Sequence, residues 1–271
     1  MNERAIASEA NGAQSPQRAF LASLGVVRRA PRTYPFDPGY DVATVVSHIG
    51  QSHSLMAGLK LSMATWLLIE DSSLQQKIRA ARDHGLPVTV GGGMFEIAAD
   101  LGRLDEYLDL CQRLNVTGIE AGQGFTRSDP HPGRVLEAAT ARGLTVTYEI
   151  GGKHDGAFDE ATTKRLIAQG GQWLNEGATH LVVEGRENAA DVGLFDSRGQ
   201  LSRGLADTLA DEFGLDRLIF EAPTKPSQFA LLDHFGADVA LGNVRLEELL
   251  RMETYRHGLH SDAYERSSLA K

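Results

Sequence analysis

The chain has 271 residues, 42% hydrophobic and 23% charged, so it can bury a full core in one domain or two. A formal net charge of -9 argues against nonspecific nucleic-acid binding, which needs a cationic face, yet a local Lys/Arg cluster can still hold a small anion. No apolar run approaches the roughly 18–20 residues that span a bilayer.

Residues 1–30 read as a partly disordered extension. Asn2 to Arg18 is polar, and no cleavage pattern follows the short apolar segment from Phe20 to Val27, so a cytoplasmic location is expected. Short apolar or β-branched runs then alternate with amphipathic ones. A first strand is expected at Thr33–Phe36, before a helix from Val42 to Met56, and a second at Gly58–Leu61, before a helix from Ser72 to His84 that Gly85 ends. A third strand, Pro87–Val90, leads into a turn at Gly91-Gly92-Gly93, with helix resuming from Leu104 to Leu114. That helix carries the single Cys111, which reads as a buried structural thiol.

Strand four is expected at Thr117–Ala121 with a helix from Arg134 to Arg142, and strand five at Thr145–Ile150 with a helix from Glu160 to Asn175. Strand six, His180–Glu184, precedes a long loop and a helix from Ser202 to Phe213. Strand seven, Arg217–Glu221, precedes a helix from Ser227 to Phe235, and strand eight, Asp238–Leu241, one from Leu246 to Arg256. Eight βα units imply a parallel sheet and match barrel closure. The expected fold is therefore α/β, a single-domain (β/α)₈ TIM-type barrel over 31–258 with a tail at 259–271. An open doubly wound sheet ranks second, because no G-x-G-x-x-G follows a strand.

Barrel chemistry is built at the carboxyl ends of the strands, so the polar residues there are the candidates. Strand one ends at Asp37, strand two carries Lys60, and Glu96 follows the glycines. Four strands end in glutamate: Glu120, Glu149, Glu184 and Glu221. Converging carboxylates repel unless a cation lies among them, and oxygen ligands suit a hard ion such as Mg²⁺. Glu120, Glu184 and Glu221 are taken as the metal set, and Lys60, Lys153 and Glu149 as catalytic. The competing reading is a structural ion-pair ring of these glutamates with Lys60, Lys153, Arg186 or Lys225.

A small anionic substrate is expected to meet Arg186, Gln123, Lys225 and Gly242-Asn243. The guanidinium can grip bidentately, and the Gly-Asn pair before the last helix leaves backbone N–H groups for a phosphate. His154 is a weaker acid/base candidate. No membrane partner is expected, and self-association into a homo-oligomer is left open.

Several segments resemble the phosphosulfolactate synthase family. They are Gly91 through Ala98, Val183-Glu184-Gly185-Arg186-Glu187-Asn188, Val192-Gly193-Leu194-Phe195-Asp196, Ile219-Phe220-Glu221-Ala222-Pro223 and Leu241-Gly242-Asn243. The resemblance runs from about Pro35 to Asp262 and implies a Mg²⁺-dependent lyase that adds sulfite to phosphoenolpyruvate. It also implies departures. Asp37-Pro38-Gly39, Ser62-Met63-Ala64-Thr65, Gly122-Gln123-Gly124 and Gly152-Lys153 stand where the family carries further lysines or polar residues. The chain thus resembles a divergent member. Three functions compete: the sulfite-adding synthase, a relative acting on another enol, carboxylate or phosphorylated substrate in specialised biosynthesis, and a non-catalytic barrel with a stress or interaction role.

Overall fold

Each strand in this chain is short and apolar on its outward side, and the segments between strands carry helix caps, so chain reversal by helix is built into the sequence. The computed structural model describes residues 15–270. The strands are β1 Thr33–Asp37, β2 Leu59–Leu61, β3 Val88–Val90, β4 Gly118–Gly122, β5 Thr145–Ile150, β6 Leu181–Val183, β7 Leu218–Glu221 and β8 Ala240–Arg245. Each pairs in parallel with the next, and β8 returns to β1, giving a closed eight-stranded barrel.

Around it run α2 Val42–Ser52, α3 Asp71–Asp83, α4 Gly92–Asp100, α5 Leu104–Arg113, α6 Pro132–Thr140, α7 Glu160–Glu176, α8 Arg203–Phe213 and α9 Lys225–Phe235; α1 is Pro16–Ser23, α10 Leu249–Arg256 and α11 Ser261–Tyr264. Local chemistry fixes several helix starts. The Asp41 and Asp159 carboxylates accept the N–H groups of Thr44 and Thr162 at α2 and α7, and Thr224 and Ser227 form a reciprocal capping box at α9.

Outward residues of the strands form the main core against the helices. Val88, Ile119, Val146, Ile150, Leu181 and Leu218 are buried, Tyr148 stacks on Trp173 of α7 at 4.3 Å, and Phe220 on Phe235 of α9 at 5.2 Å. Inside the barrel, Val182, Ile219 and Ala240 form a small apolar cluster with Tyr34 beside them.

The chain divides into two compact units, Ala30–Glu253, which contains the barrel, and the segments Met1–Arg29 with Thr254–Lys271. Within the expected disordered extension, residues 1–14 lie outside the described residues, while Pro16–Ser23 is helical, capped by the Ser15 hydroxyl.

Two local expectations are corrected. The glycines after β3 are not a free turn: Gly91 caps α4, and Gly92 and Gly93 are its first residues, because a helix start tolerates glycine where a helix interior does not. Strand β8 does not stop at Leu241. Gly242 pairs with Tyr34 and Glu221, and the register then slips so that Pro35 faces Val244, leaving Asn243 in a bulge at φ 51°.

Candidate active site

Strand alternation aims Glu120 of β4, Glu149 of β5 and Glu221 of β7 into the barrel, and Glu184 follows β6 directly. All four are at most 3% exposed. Two lysines lie among them. Lys60, from the middle of β2, places Nζ 2.7 Å from Glu120 Oε1 and 3.2 Å from Glu221 Oε1. Lys153, from the loop after β5, places Nζ 2.9 Å from Glu149 Oε1 and 3.1 Å from Glu184 Oε2. Backbone donors complete the shell: Gly92 N–H donates to Glu120, Gly185 N–H to Glu221 and Arg186 N–H to Glu184 Oε1.

The cluster separates its carboxyls electrostatically. Burial pushes Glu120 up to about 7 against the pull of Lys60. Burial acts on Glu149 in the same sense, but Lys153 and Lys60 outweigh it and hold that carboxyl at about 2. Burial, with the charges of Glu149 and Glu221, pushes Glu184 up to about 9, so it keeps its proton at neutrality and can share it with Glu149. Burial disfavours charge on both lysines, yet the surrounding carboxylates raise both above the ordinary lysine range.

Glu120, Glu149 and Glu221 each offer an oxygen within 4.8 Å of the others, all buried. This trio differs from the expected metal set of Glu120, Glu184 and Glu221 in that Glu149 stands in place of Glu184, which lies beyond the end of its strand and bonds Lys153 and the backbone of Arg186. A donor set made only of carboxylate oxygens suits a hard divalent cation.

The loop after β6 is folded back on the mouth. Arg186, Ala189, Asp191 and Gly193 all have positive φ, and Gly193 N–Cα–C passes so close to Glu184 that a Cβ there would sit 1.9 Å from its carbonyl oxygen. Bridges Val192↔Phe195 and Phe195↔Leu201 close the loop on itself, and Ala157↔Gly193 ties it to the loop after β5.

The expected substrate residues divide. The Arg186 side chain is exposed and makes no ion pair among the described residues, so its guanidinium is available; the expected alternatives, pairing with Glu184 or Glu187, are not made. Gln123 is corrected: its amide donates to Ser128 O and its carbonyl accepts from Gln169 of α7, which commits both ends to structure. Lys225 is an exposed first residue of α9 with its ammonium 5.0 Å over the Phe229 ring. Gly242-Asn243 lies inside β8 rather than at a helix start. His154 is exposed. Cys111 is fully buried, and burial pushes its thiol up to about 12, as a structural role requires.

Sequence reasoning missed two buried charges. Lys77 of α3, 2% exposed, pairs with Asp37 at 2.7 Å, and Asp37 also accepts the N–H groups of Gly39 and Tyr40. Its spacing from Leu74 and Ala81 places it on the buried stripe of α3, which was the available signal. Glu96 of α4, noted in sequence but given no role, is 1% exposed and accepts the Phe125 and Thr126 N–H groups through Oε2.

A family model described as (2R)-phospho-3-sulfolactate synthase (ComA) matches residues 28–262. The chain belongs to this family. A phosphosulfolactate synthase of Methanocaldococcus jannaschii is 31% identical over 76% of this chain and 82% of its own length. Relatives of the same name are 28% identical in Methanothermobacter thermautotrophicus, over 88% of this chain and 93% of that one, and 24% identical in Bacillus subtilis, over the same shares. Two solved structures share the fold alone. Deoxyribose phosphate aldolase from Aeropyrum pernix has TM-score 0.54 at 13% identity, covering 90% of this chain and 99% of that one. The carboxyl transferase domain from Rhizobium etli pyruvate carboxylase has TM-score 0.52 at 13% identity, and 88% of this chain spans 45% of that one.

Proposed function

We propose that this chain is a cytoplasmic lyase-type synthase that adds sulfite to the enol double bond of phosphoenolpyruvate to give phosphosulfolactate. The observation that carries the reading is the buried set of four glutamates and two lysines at the strand ends, with the Arg186 guanidinium free beside it. Glu120, Glu149 and Glu221 would hold Mg²⁺, which when bound supplies positive charge for an anionic substrate and for the charge that builds on its carboxylate.

In the reaction the sulfur lone pair attacks C3, the C2=C3 electrons move toward the carboxylate, and C2 then receives a proton. Lys153 is held protonated by Glu149 and Glu184 and, at 28% exposure, is the more accessible of the two lysines, so it is assigned the C2 proton. Glu184, which retains a proton at neutral pH, lies 3.1 Å away and returns it to Lys153. Lys60 stays between Glu120 and Glu221 and keeps both in place. Arg186 grips the phosphate or carboxylate of the substrate.

A second reading, a different enol or carboxylate substrate, is favoured by the apolar side chains flanking α4. Met63 and Phe125 are each 44% exposed, beside Gly91 and Gly93. The test is incubation with phosphoenolpyruvate, sulfite and Mg²⁺, followed by mass spectrometry, with Glu184→Gln alongside. Mg²⁺-dependent phosphosulfolactate that is lost in the variant supports the synthase. Absence of product at high enzyme concentration rejects it and turns the search to other enol acids.

A further inference from the structure

We propose that the barrel interior is a second binding site, entered from the amino-terminal ends of the strands, that takes a small aliphatic or alicyclic alcohol. TIM-type barrels normally fill this space with layers of bulky side chains. Here a cavity of about 310 Å³ runs from Gly58, Pro87 and Thr179 at the strand starts to Lys60, Glu120 and Glu221 at the inner face of the carboxylate cluster. Its outer end reaches solvent, where Pro87, Thr145 and Thr179 are exposed.

The walls are apolar for a specific reason. The hydroxyls of Thr117, Thr145, Thr147 and Thr179 donate to backbone carbonyls of Val88, Thr117, Ile119 and Val146, so their donors are spent on the neighbouring strand. What they present to the cavity is carbon, continued by Val182 and Ile219 on the opposite wall. Tyr34 and His180 meet edge to face at 6.4 Å near the entrance, burial lowers the imidazole's proton affinity, and the charges acting on that ring are the mutually paired Arg32 and Asp216.

The inner end selects the head group. Asn243 lines the cavity, and its buried Oδ1 has no hydrogen-bond partner among the described residues, so it calls for a donor. Lys60 Nζ engages Glu120 and Glu221 and has one further N–H to give. A hydroxyl both donates and accepts. A carboxylate cannot donate, and it would meet Glu120 and Glu221. The cavity therefore matches a neutral apolar body carrying one hydroxyl, and an occupant bears on the carboxylate–lysine cluster from the side opposite the mouth.

Cyclohexanol is the probe for titration calorimetry, with cyclohexanecarboxylate as its anionic counterpart. The native protein should bind cyclohexanol with a Kd on the order of 1 mM, and the carboxylate at least about tenfold more weakly. Thr147→Leu, which fills the cavity, should weaken cyclohexanol binding by at least about tenfold, whereas the isosteric Thr147→Val should stay within about threefold. Crystals of the native protein soaked in 3-bromopropan-1-ol give a readout that needs no variant. Bromine density inside the barrel with the hydroxyl at Asn243 supports the site. An empty interior with bromine elsewhere, equal binding by the leucine variant, or equal binding of the carboxylate overturns it.

Discussion

Replacing Lys60 by methionine keeps the side chain's reach and removes the ammonium that lies 2.7 Å from Glu120 Oε1 and 3.2 Å from Glu221 Oε1. Those side chains are 4% and 2% exposed, so bulk water cannot take the ammonium's place. At an effective dielectric near 20 the two attractions are about 6 and about 5 kcal/mol. Most of that offsets the cost of burying the three charges, and removing one partner of a buried pair leaves a net loss of about 3–5 kcal/mol. The variant can limit the loss by taking up a proton. Glu120 is already at about 7 with Lys60 present, and it rises further without it. A carboxyl whose folded value lies above its unfolded one binds more protons when folded, so stability falls as pH rises from 4.5 through the folded value. Urea unfolding of the metal-free native and variant proteins at pH 5 and pH 8 tests this. The loss should be about 3–5 kcal/mol at pH 8 and smaller by at least about 1.4 kcal/mol at pH 5. Equal losses at the two pH values, or a loss below about 1 kcal/mol at pH 8, would refute the reasoning.

The metal-free native protein should itself show two opposed slopes. Glu149, held at about 2, adds stability as pH rises from 2 to 4.5, and Glu120, at about 7, removes it from 4.5 to 7, so a urea midpoint that climbs steadily to pH 8 contradicts the assignment. Gly193→Ala should lower stability by more than about 3 kcal/mol, because the residue has φ 56° and its Cβ meets the Glu184 carbonyl; thermal unfolding within a degree of native rejects that close approach. Lys77→Met and Asp37→Asn should each cost about 3–5 kcal/mol, and the double variant much less than their sum; additivity in a double-mutant cycle would mean the buried pair is not a unit. Arg186→Ala should leave the melting temperature unchanged, since the guanidinium bonds nothing among the described residues, while raising KM about 10–100-fold for an anionic substrate; an unchanged KM removes Arg186 from substrate binding.

Strand positions were readable because burial on the outward face imposes runs such as Val88–Val90 and Leu181–Val183, and the glutamates at their ends needed only the polarity rule of the barrel. The contacts among those glutamates were not readable. Whether Glu149 or Glu184 joins Glu120 and Glu221 depends on a difference of one position past a strand end, and both carboxylates reach the same Lys153, so pairing alone does not separate them. The glycines before Met94 carry a turn signature, and only packing against β4 reveals them as a helix start. The Asn243 bulge depends on the register with β1, a contact more than two hundred residues away in sequence, to which local pattern is blind. Gln123 was assigned to substrate from its place after β4, and its capture by Gln169 is likewise a long-range contact.

Three of the four glutamates belong to the hydrogen-bonded ladder itself, whereas Pro38, Met63 and Gln123, where the sequence reads as departing from the pattern it resembles, lie on connectors or at the rim. The electrostatic frame and the rim connectors thus belong to different parts of the fold. A lineage can rewrite the connectors one at a time without refolding the frame, and an engineer can do the same, exchanging loops between relatives while the acid–base core travels unchanged.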